Sequence, residues 1–212
     1  MIKAIIFDLW RTTLYSKGSF GKDVIKLLGI TLEKEEGLWE LLEEHWMKNR
    51  FETLEEAAEH TLKAFGIKDN KKIKRFAELY ENDKKHIKPY SDAVPAIKKL
   101  RKKYKTGLLS NTDCFVLPLL KETGFLKMFD AAVFSCDHGE LKPDKNFFRR
   151  ILTVLEVKPN ESIMVGDKMT RDIKPAKALG MHTILIDRHN NYPNIKNKIT
   201  TLNGLEKIIE KL

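Results

Sequence analysis

The chain has 212 residues, 42% hydrophobic and 33% charged, enough for one substantial core plus a smaller second unit. Its formal net charge of +9 is spread among acids and apolar positions, and the run Arg101-Lys102-Lys103 reads as the solvated end of a helix, which argues against a nucleic-acid footprint. Two cysteines, Cys114 and Cys136, make neither a disulfide framework nor a zinc set, and no apolar stretch approaches the length of a membrane span. Residues 2–7 read as a strand rather than a leader, so a cytoplasmic protein is expected, acting as a monomer or homodimer without nucleic-acid or membrane partners. Lys and Glu are abundant and Gln is absent, a composition associated with thermophile proteins.

In chain order, residues 3–7 (KAIIF) form a short apolar, β-branched run that ends at Asp8. The pattern recurs at 106–109 before Ser110, 131–134 before Ser135, 162–165 before Gly166 and 183–186 before Asp187. Short, uniformly apolar runs with polar punctuation are the signature of parallel strands covered on both faces. Helical patterns at 92–103, 116–123, 145–155 and 173–179 separate the later runs, and Gly124 and Gly180 stand where two of these helices should stop. Alternation of this kind predicts an α/β fold, a Rossmann-like parallel sheet.

Almost a hundred residues separate the first run from the second, far too many for a crossover. Apolar periodicity predicts helices at 22–28, 33–47, 53–65 and 71–86, with no convincing strand from 20 to 87. The expected organisation is a core of residues 1–15 and 88–212, with an inserted α-helical cap subdomain at 16–87. Acids and bases are nearly balanced in the insert, so the basic excess belongs to the α/β part.

Ligands of open parallel sheets bind beyond the carboxyl ends of the strands. Here those ends carry Asp8, then Ser110 and Asn111, then Lys142-Pro143 shortly after the third strand, then Gly166-Asp167 with Asp172 five residues on. The set FDLWRTTL (7–14), LLSN (108–111), LKPD (141–144) and VGDKMTRD (165–172) resembles the four motifs of the haloacid dehalogenase (HAD)-like hydrolase superfamily. The lead-in at 88–100 is similar to the segment these proteins carry before the second motif, and the helical insert resembles caps placed after strand one.

The resemblance implies a hydrolase, most simply a phosphatase acting on a small phosphorylated metabolite. Asp8 would be the nucleophile, dividing one hydrolysis into two easier steps through an aspartyl-phosphate. Lys142 would hold nucleophile and transferred group by its charge, and Ser110, Asn111 and Thr12 would contact the substrate. Asp8, Asp167, Asp172 and the main-chain carbonyl of Trp10 would hold Mg2+, a hard cation that prefers oxygen ligands.

Family phosphatases usually carry a second Asp two residues after the nucleophile as general acid and base; this chain has Trp10, followed by Arg11 where glycine is usual. Leaving-group protonation is therefore missing from its expected place, and His138 and Glu140 are the nearest titratable replacements in sequence. An aromatic residue at position 10 is common in dehalogenating members, so a metal-free 2-haloacid dehalogenase is an alternative. Retention of Asp167, and Phe148 where those enzymes carry tyrosine, weigh against it. A non-catalytic binding protein is a further alternative, opposed by the completeness of the other motif positions. In the insert, Trp39, Trp46, Phe51 and Phe65 are expected in the core of the helices.

Overall fold

The computed structural model describes residues 1–29, 35–195 and 198–212. Six parallel strands make the main sheet: β1 (Ala4–Phe7), β4 (Lys105–Ser110), β5 (Ala131–Phe134), β6 (Ser162–Gly166), β7 (His182–Ile186) and β8 (Lys198–Ile199), in the order β5-β4-β1-β6-β7-β8. β1 lies at the centre, with Ala4 opposite Lys105 on one side and Ser162 on the other. All four of its residues are buried because successive side chains serve opposite faces. Ile5 and Phe7 join a core with Ile97, Leu100 and Val165, while Ala4 and Ile6 join another with Phe147, Phe148 and Ile151. This two-sided burial is the physical reason the strands read as unbroken apolar runs.

The covering helices are α5 (Ala93–Leu100), α6 (Leu117–Glu122), α8 (Lys145–Val154), α9 (Lys174–Ala178) and α10 (Leu205–Ile209), with a single turn α7 (Ser135–His138) directly after β5. α5, α6, α8 and α9 match the four expected helices in place and are shorter by one to three residues at most ends, whereas α10 was not among them; the Arg101-Lys102-Lys103 run lies beyond α5, exposed in turns. Gly107 in β4 lets α8 pack closely, since a Cβ there would fall 2.8 Å from Leu155 Cδ1.

Between β1 and β4 lie α1 (Phe20–Leu28), α2 (Glu35–Leu42) continuing into a π-turn (Glu43–Met47), α3 (Leu54–Ala64) and α4 (Asn70–Lys84). The expected helix at 33–47 starts in residues 33–34, which lie outside the described residues. Thr53 caps α3 by accepting from the Glu56 N–H, and Asp69 caps α4 by accepting from the Lys71 N–H at 2.8 Å. These helices share a core in which Trp46 packs against Phe20, Phe76 and Tyr80.

Three short strands were outside the expectation: β8 at the sheet edge, and a separate pair. β2 (Leu14–Ser16) and β3 (Ile87–Pro89) pair antiparallel, with Leu14 opposite Pro89 and Ser16 opposite Ile87. Strands of three residues, of which only Leu14 is buried, carry no periodic signal, and their pairing joins positions more than seventy residues apart. Among the described residues no helix is long and apolar enough to cross a membrane.

Candidate active site

β1, β4 and β6 end together, and the loops beyond them bring the motif residues into one crevice. Asp8 leaves β1 with its N–H donating to the Val165 carbonyl at 2.9 Å, so β6 fixes where the carboxylate starts. The chain then curls tightly: Thr13 Oγ1 donates to the carbonyls of Asp8 (3.1 Å) and Leu9 (3.0 Å), and Arg11 N–H donates to Leu14 O (2.7 Å). Arg11 is held at φ 60°, a left-handed conformation natural to glycine that costs other residues roughly 1–2 kcal/mol. That conformation is why glycine suits this position, and the surrounding turn imposes it on an arginine.

Lys142 Nζ stands 2.6 Å from Asp8 Oδ1 and 2.6 Å from Asp172 Oδ1, and all three side chains are buried. Asp172 sits on the π-turn Met169–Ile173, its Oδ2 accepting the Lys168 N–H at 2.9 Å. Its approach depends on Gly166, where a Cβ would fall 2.4 Å from Asp172 Cγ. Asp167 completes the group: one carboxylate oxygen each from Asp8, Asp167 and Asp172 lie within 4.8 Å of one another.

Three buried carboxylates face a single buried ammonium, and their proton affinities show the imbalance. Burial, with the charge of Asp172, pushes Asp8 up to about 6 despite the pull of Lys142. Burial, then the charges of Asp8 and Asp172, push Asp167 up to about 8. Burial works against a charged Lys142, but Asp172 and Asp8 outweigh it and hold the amine above its usual range. Asp167 Oδ2 is buried without a hydrogen-bond partner; Arg11 Nε, at 3.6 Å, is too distant to be one. An orphaned carboxylate oxygen among three hard anionic donors fits a small divalent cation.

The other expected site residues are placed differently from one another. Asn111 lines the crevice, but its amide is bonded at both ends to the main chain of Lys142. Ser110 is fully buried at the end of β4, its hydroxyl donating to the Asn111 carbonyl at 3.2 Å. Thr12 is fully buried with Oγ1 unpartnered, and its carbonyl accepts from Arg188 at 2.9 Å. Neither Ser110 nor Thr12 lines the crevice. Trp10 does, its Nε1 donating to Thr112 Oγ1 at 3.0 Å. His138 is exposed and Glu140 pairs with Arg150 at 2.8 Å, both away from the crevice, so neither replaces the missing acid from where it stands.

Above the carboxylates a cavity of about 290 Å³ is closed by the helices of the insert. Trp39, Glu43, Trp46 and Tyr80 line it, and of these the sequence reading placed only Trp39 and Trp46, both in the core. Trp46 is core, whereas Trp39 is 38% exposed at the cavity's edge. The signal was present: positions 39, 42, 43 and 46 recur at helical spacing and so share one face. Glu43 Oε2 pairs with Arg171 Nη2 at 2.6 Å, tying the π-turn after α2 to the loop between Asp167 and Asp172. Burial pushes the Glu43 carboxyl up, against the pull of Arg171.

Comparison with known proteins agrees with the motif set. A glyceraldehyde 3-phosphate phosphatase of Methanopyrus kandleri is 30% identical over 200 residues, covering 89% of this chain and 85% of that one. A HAD phosphatase from Thermococcus onnurineus superposes with a TM-score of 0.68 at 26% identity over 98% of both chains. The magnesium-bound HAD-hydrolase YfnB of Bacillus subtilis shares the fold, with a TM-score of 0.65 at 21% identity over 98% of both chains. Residues 2–180 match the family profile described as haloacid dehalogenase-like hydrolase. With the motifs gathered in one crevice on a six-stranded parallel sheet, the chain belongs to the haloacid dehalogenase-like hydrolases.

Proposed function

We propose that the protein is a magnesium-dependent phosphatase that acts on a small phosphorylated metabolite through an aspartyl-phosphate on Asp8. The observation that carries this reading is the cluster itself: Asp8 bonded to Lys142, with Asp167 and Asp172 close enough to share one cation with it. Phosphatase relatives support the reaction class, and a magnesium-bound relative of the same fold supports the ion.

Asp8 Oδ2, the oxygen not bonded to Lys142, is the attacking atom, and Lys142 keeps the carboxylate oriented. Asp8, Asp167, Asp172 and the Trp10 carbonyl would hold Mg2+, which supplies charge neutralisation as the phosphoryl group transfers. Arg11, Lys168 and Arg171 add positive charge around the same crevice and draw in a dianion. Water then cleaves the acyl phosphate, regenerating the Asp8 carboxylate and releasing phosphate. Residues 16–87 act as the cap that shields this chemistry from solvent, and the protein works in the cytoplasm.

Trp10 favours a second reading, metal-free dehalogenation of a 2-haloacid, because halide leaves without a proton. Asp167 counts against it, since a third buried carboxylate beside the nucleophile serves only where a cation offsets it. A panel of phosphate esters and 2-haloacids, assayed with magnesium and with chelator, separates the two. Magnesium-dependent phosphate release is expected; halide release in chelator would overturn the phosphatase reading.

A further inference from the structure

The cavity has two chemically distinct ends. At the floor stand Asp8, Lys142, Asp167 and Asp172, with Arg11 and Lys168 beside them. Toward the insert the walls are aromatic: Trp10, Phe20, Trp39, Trp46 and Tyr80, filled in by Leu42, Met47 and Ile87.

Most polar groups among these walls are committed to the protein itself; Trp46 Nε1 is buried without a hydrogen-bond partner. Trp10 Nε1 donates to Thr112, and the Tyr80 hydroxyl donates to Asp113 at 2.5 Å. Asp113 Oδ1 also accepts the N–H groups of Phe115 and Val116. Ser16 Oγ accepts from Gly18 and lies 3.4 Å from the Asp83 carbonyl, while Asp83 Oδ1 accepts the Phe20 N–H. Both ends of the Asn111 amide are bound to Lys142, and Glu43 is paired with Arg171. A polyol would lose water here and compete with protein partners for most of the hydrogen bonds it regained. An aromatic ring would lose nothing of the kind and gain face and edge contacts.

From this wall we infer that the leaving group is an aromatic alcohol, so that the substrate is an aryl phosphate monoester rather than a sugar or triose phosphate. The inference rests on the phosphatase reading for its reaction and on the wall for its specificity. Trp10 independently points the same way. In the attack, Asp8 Oδ2 forms a bond to phosphorus as the P–O bond to the leaving group breaks, and the electron pair departs on that oxygen. An aryloxide carries that charge unaided, whereas an alkoxide requires a proton that Trp10 cannot donate.

The test separates binding from turnover. Calorimetry on the full chain with magnesium would compare 2-naphthylmethylphosphonate with 2,3-dihydroxypropylphosphonate, two non-hydrolysable anions that differ in the appended group. The aryl compound should bind at least tenfold more tightly, and Trp39→Ala, at an exposed edge of the wall, should erase most of that preference. Equal or inverted affinities, or no binding of either compound, would overturn the inference. So would a Trp39→Ala variant that weakens both compounds alike. In parallel, 2-naphthyl phosphate should have a much lower KM than acetyl phosphate, which leaves without a proton but lacks a ring. If the aryl phosphonate binds as expected while neither phosphate is hydrolysed, the phosphatase reading fails and the aromatic site stands.

Discussion

Asn111 holds Lys142 by both ends of one amide: Oδ1 accepts the lysine N–H at 2.8 Å and Nδ2 donates to its carbonyl at 3.1 Å. The bonds are buried and join the end of β4 to a loop thirty-one residues later, so they decide where the ammonium that touches Asp8 can stand. Asn111→Ala should leave the buried Lys142 N–H without a partner and its carbonyl with only Arg171 Nη1 at 3.5 Å, destabilising the protein by about 1–3 kcal/mol. It should also lower kcat more than it raises KM, by roughly tenfold or more, as Lys142 loses its alignment. Thermal unfolding and steady-state kinetics on the same preparation would check both. A kcat within twofold of the parent would remove Asn111 from the positioning of Lys142.

Asp8→Asn keeps the shape of the side chain and removes its nucleophilicity. Turnover of every phosphate ester should fall by at least about a thousandfold, with the folded state retained by circular dichroism. Trapping phosphate on Asp8 of the parent, detected by mass spectrometry after acid quench, would establish the covalent step directly.

The orphaned Asp167 oxygen makes a metal prediction specific. Asp167→Asn should weaken magnesium binding by at least about tenfold in calorimetry and abolish magnesium-induced thermal stabilisation, since an ion that binds only the folded state raises its stability. Unchanged affinity would place the ion elsewhere.

Acidity supplies a further test in the magnesium-free protein. Asp167 titrates ordinarily at 3.8 and is pushed up to about 8 when folded, so between those values the folded state holds more protons than the unfolded one. Stability without metal should therefore be greatest at the acid end of this window and decline as pH rises toward 8. Magnesium should flatten the decline and, near neutral pH, release a proton on binding, visible as a buffer-dependent heat. A melting temperature that rises with pH across the window would contradict the picture.

Trp10→Asp restores a proton donor at a position where the tryptophan now bonds Thr112. The ratio of alkyl to aryl phosphate turnover should rise by about a hundredfold. Because lost packing affects both substrates, the ratio within each variant is the quantity to compare. An unchanged ratio would show that protonation does not limit the parent enzyme.

Much of this was legible in the residues. The five longer strands were readable because burial on both faces keeps them mostly apolar, Asp8 and Asp167 because each directly follows a strand, and Lys142 and Asp172 because they complete the motif set. The partners of Asn111 were not, since a side-chain bond across thirty-one residues leaves no local pattern. Ser110 and Thr12 stand at motif positions yet turn into the packed interior, a choice of rotamer that sequence does not encode locally. Trp39 shows the limit of periodicity: an apolar helical stripe looks the same whether it meets a core or a cavity.

The β2–β3 ribbon carries a consequence for how such a molecule can change over time. Because Leu14–Ser16 and Ile87–Pro89 are hydrogen-bonded side by side, the chain departs from the sheet and comes back to it at adjoining points. What lies between those points is free to lengthen, shorten or be exchanged without disturbing the alignment of β1 with β4. A lineage can therefore remodel the aromatic wall, and with it the molecules admitted, while the carboxylates underneath stay where they are.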